Sequence, residues 1–222
     1  MRPQAWLGIC LVLTACAGSG HIEQACLELV NSPPDGWGRA YPRVIESGAD
    51  ATAPLIDALR AAPTAPGRQA ALFALGELGD RSAVGFLIAE AAAGNDHGFE
   101  AALALGKLGD DSATEPLRDL MLDQSQDVTA RTAAACALLD LGAMDEAVPL
   151  LSAVLLAGTP YGRDQASQHG LPSKSRWALE RQIAIDAIAR ASGGQTFGLD
   201  PDSSWPRLAD GVRAWREYLQ KR

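Results

Sequence analysis

Ala74-Leu-Gly-Glu-Leu-Gly-Asp80 and Ala104-Leu-Gly-Lys-Leu-Gly-Asp110 are the stretches whose reading decides the fold of this chain. They differ at one position and lie thirty residues apart. Self-similarity at a period of roughly 20–50 residues marks supersecondary units that stack on one another. A third, degenerate copy sets Ala137, Leu138, Leu141 and Gly142 where the second has Ala104, Leu105, Leu108 and Gly109.

Each copy carries apolar residues at helical spacing. Ala71, Ala74, Leu75 and Leu78 follow i, i+3, i+4, i+7, as do Ala101, Ala104, Leu105, Leu108 and then Ala134, Ala137, Leu138, Leu141. Small alanines beside leucines on one face allow close approach of a neighbouring helix. Gly79, Gly109 and Gly142 follow each run, where a left-handed residue commonly ends a helix. Asp80, Asp111 or Ser112, and Asp145 offer caps for a second helix in each unit. The second helices carry Phe86 and Leu87, then Leu117 and Leu120, then Leu150, Leu151, Val154 and Leu155, with Pro116 and Pro149 near their openings.

An earlier copy spans Val44 to Leu59, with Gly48 at its turn and Pro54-Leu55 opening its second helix. A divergent pair closes the chain near Lys174–Ala191 and Trp205–Gln220. In the last helix Trp205, Leu208, Val212, Trp215 and Leu219 recur at helical spacing, with Ser204 as cap. No run alternates with period two, so the expected class is all-α, with about five helix pairs.

These helix–LGD–helix units resemble HEAT repeats, in particular the short HEAT-like class of the phycobilin lyases. The resemblance covers residues 43–156, and Gly194–Pro201 with Trp215-Arg216 is similar to the C-terminal cap of bacterial HEAT-repeat proteins. It implies an α-solenoid with divergent N- and C-terminal caps, and a protein–protein scaffold more often than an enzyme. Its repeat domain would span 43–222: regular repeats over 43–156, an irregular loop over 158–173 and a cap over 174–222. Residues 21–42 form an N-terminal helix and a turn-rich connector, Pro33–Gly38, that includes Trp37.

The start of the chain reads differently. Arg2 precedes the apolar stretch Ala5 to Leu13, too short to span a bilayer and suited to a signal-peptide core. Leu13-Thr14-Ala15-Cys16 resembles a bacterial lipobox. That resemblance implies diacylation of Cys16, loss of residues 1–15, and a short tether over 16–20 holding the domain near the membrane. With Ala17 after the cysteine, it places the protein in the bacterial cell envelope, at the outer membrane of a typical diderm. Cys10 leaves with the signal. Cys26 and Cys136 stay in a compartment that permits a disulfide between them, and a buried free thiol at Cys136 is the plainer alternative.

The formal net charge is −8. Residues 40–157 hold 17 Asp and Glu against 7 Lys and Arg, whereas residues 158–222 hold 10 Lys and Arg against 7 Asp and Glu. An acidic core disfavours nucleic acid, whose binding depends on neutralising phosphates. The basic tail suits anionic lipid or an acidic partner, and equally the solvated face of a capping helix. His21, His97 and His169 stand at no usual ligand spacing, and no nucleophile elbow, phosphate loop or zinc spacing occurs, so neither metal nor cofactor is expected.

The expected function is therefore a lipid-anchored, non-catalytic scaffold that binds a protein partner. Asp57, Arg60, Glu90, Arg118 and Asp119, on the second helices, are the polar residues expected to face it, joined by Tyr161, Arg163 and His169 from the loop. A purely structural envelope protein and a chromophore-handling enzyme of the bilin-lyase kind are the alternatives.

Overall fold

The computed structural model describes residues 20–33, 35–61, 63–160, 162–172 and 177–221. All regular structure among these residues is helical, and none of these helices is long and apolar enough to cross a membrane. The signal-peptide and lipidation expectations for 1–19, Cys16 included, lie outside the described residues, as does Tyr161.

The chain divides into two compact units, Met1–Ala83 and Val84–Arg222. In the first, helix α1 covers 20–30, followed by α2 (Trp37–Glu46), α3 (Thr52–Arg60) and α4 (Ala65–Leu78). Trp37 opens α2 rather than lying in a connector. Gly48 takes the left-handed conformation, φ 59°, at the turn expected of it. Helix α1 buries Ala25, Cys26, Leu29 and Val30. Its C-terminal end docks on the start of α4: the Thr64 amide donates to the Val30 carbonyl at 3.1 Å. The Thr64 hydroxyl in turn caps α4 by accepting from the Gly67 amide at 3.1 Å. A Cβ on Gly67 would strike the Val30 carbonyl, so only glycine permits this approach.

The second unit holds α5 (Val84–Ala92), α6 (Gly98–Leu108), α7 (Thr114–Leu122), α8 (Val128–Asp140), α9 (Met144–Leu156), α10 (Arg163–Gln168), α11 (Ala178–Ala191) and α12 (Trp205–Leu219). Within it the pairs stack as HEAT-like layers. Helices α6, α8 and α11 lie side by side, α5 lies against α7, and α9 lies against α12. Helix α8 is central, touching α6, α7, α9 and α11, so every residue from Ala130 to Leu139 is buried. Its closeness to α6 depends on Gly106, where an added Cβ would stand 2.9 Å from the Ala137 Cα.

Gly79, Gly109 and Gly142 all have the expected left-handed φ, at 69°, 61° and 84°. The capping expectations need correction. Asp110, not Asp111 or Ser112, accepts from the Ser112 amide at 2.9 Å and opens a 3₁₀ turn, Asp111–Ala113, ahead of α7. Asp80 makes the equivalent bond to Ser82 before the 3₁₀ turn Arg81–Ala83, and bonds from Ser82 and Thr52 hold its carboxyl below the ordinary range. Asp145 lies within the first turn of α9 and caps nothing, and Pro149 sits inside that helix rather than near its opening.

Residues 158–173 are not wholly irregular. Helix α10 occupies their middle and ends on Gly170, φ 60°, with the Leu171 amide donating to the Ala166 carbonyl at 2.8 Å. The helix is short and carries only Ala166 as an apolar residue, so it shows no hydrophobic period. The proposed disulfide is also absent: Cys26 and Cys136 are free and buried. The Cys26 thiol lies 3.9 Å from the Ala51 carbonyl inside the first unit, and Cys136 donates to the Ile183 carbonyl at 3.5 Å inside the second. Burial, with Glu23 secondary, pushes Cys26 up to about 11, and burial raises Cys136 as well, so neither is a ready thiolate.

Trp177 and Trp215 are buried and Trp37 is half-buried, but Trp205, expected on the apolar stripe of the last helix, is 52 % exposed. It stands at the first position of α12, beyond the Leu208, Val212 and Trp215 stripe that this helix buries.

Leu105 is fully buried in the α6–α8 layer, whereas Leu219 is only partly covered at the end of α12. Leu105→Ala should lower stability by about 2–5 kcal/mol and Leu219→Ala by clearly less. Urea unfolding of the full chain in mild detergent compares them, and equal losses would refute this packing.

Candidate functional site

Three arginines hold the same place in their helices. Arg68, Arg131 and Arg181 are each the fourth residue of α4, α8 and α11, three positions before Ala71, Ala134 and Ala184 on the apolar stripe. Each reaches the end of the preceding second helix, where carbonyls lack intrahelical partners. Arg68 donates to the Leu59 carbonyl at 3.2 Å. Arg131 donates through Nε to Met121 at 3.0 Å. Arg181 donates to Leu155 at 3.1 Å and to Ala157 at 2.6 Å. Burial pushes the Arg131 and Arg181 guanidinium groups below their ordinary range, so these bonds hold charge in a poorly solvated place.

Arg131 does more than join α8 to the end of α7. Its Nη2 donates to the His169 carbonyl at 2.7 Å, so the end of α10 is tied to the end of α7. Gly170, next in the chain, lies so close to Gln124 that a Cβ there would strike its side chain. On the far side, Arg118 of α7 forms a bidentate pair with Glu146 of α9, its Nη2 bond being 2.6 Å, and a second pair with Glu115. Hydrogen bonds to Glu146 and then Glu115 raise the Arg118 guanidinium further, and the Arg118 bonds lower Glu146.

Between these two ties lies a cavity of about 380 Å³, lined by Met121, Leu122, Pro149 and Leu150 with Gln124, Asp145 and His169 among its polar groups. Leu122 stands 59 % exposed at its edge. Burial, then the Arg131 charge, lowers the His169 pKa, so its imidazole is neutral at pH 7. A second cavity of about 450 Å³ lies beside α10 and is lined by Arg163, Leu171, Trp177 and Trp205.

The expected partner-facing residues are thus only partly brought together. Arg118 and His169 line one cavity and Arg163 the other. Asp119 is exposed on α7 and Glu90 half-buried on α5. Asp57 and Arg60 belong to the first unit, where they pair with each other at 3.0 Å on an exposed face of α3. Arg131, Glu146, Met121 and Leu122 are site residues that sequence reasoning did not single out. For Arg131 a signal existed: an arginine on the core stripe, recurring at positions 68 and 181. Among the described residues, no group of three or more His, Cys, Asp or Glu side chains could hold a metal ion.

The HEAT repeats family model matches residues 52–138, the span that runs from α3 into α8. HEAT repeats generally mediate protein–protein interaction. No curated protein matches the sequence.

Arg131→Met should destabilise the chain by about 3–5 kcal/mol, because charged bonds to the buried Met121 carbonyl and the part-buried His169 carbonyl vanish. Arg131→Lys should recover only part, since one ammonium cannot reproduce the guanidinium fork. Urea midpoints of the three chains provide the check.

Proposed function

We propose that this chain is a lipid-anchored scaffold of the bacterial envelope that binds another protein through the second-helix side of its HEAT repeats and carries out no chemistry of its own. The observation that carries the binding half is the cavity between α7, α9 and α10. It is concave, has an apolar wall of Met121, Pro149 and Leu150 among polar side chains, and is bordered by the exposed Leu122. An exposed apolar edge beside such a cavity is what a partner's side chain would cover. Its walls are fixed by Arg118 and Arg131, so a partner would meet a preformed surface.

The anchoring half rests on Leu13-Thr14-Ala15-Cys16 and the short apolar stretch before it. Acyl chains on Cys16 would hold the protein at a membrane without any spanning helix, each buried methylene contributing about 0.8 kcal/mol.

Two measurements test the reading. Cys16→Ser should abolish incorporation of labelled palmitate and release the chain from sedimented membranes; retention of both label and membrane association would contradict the anchor. Crosslinking in intact cells should recover the same partner protein reproducibly, and repeated recovery of none would contradict the scaffold.

A further inference from the structure

The character of the partner can be read from the charges around the α7–α9–α10 cavity, granted the scaffold reading above. Asp119 and Asp123 flank Leu122 on α7 and the turn after it, and Asp145 lines the cavity from the first turn of α9. All three carboxylates are exposed, and among the described residues neither Asp119 nor Asp145 forms an ion pair. The cations that line the cavity are already engaged, and Arg216, which shares a neighbouring recess with Asp145 and Pro149, does not line it. Arg118 is held between Glu115 and Glu146, and Arg131 is buried with its donors on the Met121 and His169 carbonyls. His169 is uncharged at neutral pH. Among the described residues lining the recess no cation is left unengaged, and Asp145 with the neighbouring Asp119 and Asp123 gives its rim a negative charge.

We infer that this cavity takes a large apolar side chain from a basic segment of the partner protein, with lysine or arginine next to the anchor meeting Asp119 and Asp145. The apolar side chain covers Leu122, Met121, Pro149 and Leu150, and the flanking cations supply register and speed of encounter. An acidic segment is rejected, since its carboxylates would lie beside Asp145 and Asp119 without compensation.

The probe is a random-peptide phage library panned on the full chain in detergent micelles, with enriched peptides then titrated by fluorescence anisotropy. Enriched sequences should place Leu, Phe or Trp beside Lys or Arg. Leu122→Asp should weaken their binding about tenfold or more, as loss of an anchor contact does. Asp145→Lys should weaken it several-fold and flatten its salt dependence. Leu122 is exposed and Asp145 makes no ion pair, so both variants should fold, and unchanged urea midpoints confirm it. Enrichment of acidic or uncharged sequences overturns the inference, and so does failure to enrich any. Enriched peptides that bind Leu122→Asp undiminished overturn this site while leaving the scaffold reading intact; that reading fails separately, on the crosslinking result. Sedimentation of the unliganded chain as a dimer that Leu122→Asp dissociates would place a second copy here and overturn the inference too.

Discussion

A guanidinium set against the open end of the preceding helix is the constraint on which the described structure depends. Every helix ends with carbonyls that no later turn can satisfy. In a stack of short helix pairs those ends are numerous and partly buried, so each needs a donor that water does not supply. Arg68, Arg131 and Arg181 supply it from the core stripe of the next first helix. A planar group with several fixed donors suits two or more carbonyls at once, which explains arginine rather than lysine at these places. In α6 the equivalent position is Gly98, where an added Cβ would stand 3.5 Å from the Ala91 carbonyl. There the helices approach directly instead.

The same device shapes the candidate site. Because Arg131 reaches both Met121 and His169, the insertion between α9 and α11 folds back over the end of α7 instead of extending away. The cavity exists because α10 is held there while Arg118 holds α9 from the other side. Candidate site and structural tie therefore share residues. Losing Arg131 would unsettle the site through its walls, without touching a partner.

Much of the fold was legible because repetition and helical period are local properties. The LGxLGD copies, the left-handed glycines at 79, 109 and 142, and the all-helical class follow from spacing alone. The site was less legible, since it depends on contacts far apart in sequence. Asp57, Arg60, Glu90, Arg118 and Asp119 were chosen as polar residues on second helices, and helix identity alone does not say which of them border a recess. Helix α10 leaves no periodic signal in the sequence, because one alanine makes no period. Trp205 shares the helical spacing of the last helix's apolar stripe, yet its place at the first position of α12 leaves it exposed. Cys26 and Cys136 were eligible as a pair by compartment only, and each thiol instead meets a backbone carbonyl within its own unit. The arginine register at 68, 131 and 181 was present in the sequence, and it becomes readable once a core-facing arginine is taken as a donor to the previous helix rather than as a surface charge.

Amide hydrogen exchange on the chain carrying Arg181→Met tests the central claim most directly, because Arg181 joins α11 to the end of α9 and takes no part in the candidate site. The account predicts faster exchange confined to the last turn of α9, the residues just after it and the first turn of α11, with α6 and α7 unchanged. Unaltered exchange at the end of α9, or uniform acceleration through the whole second unit, would contradict it.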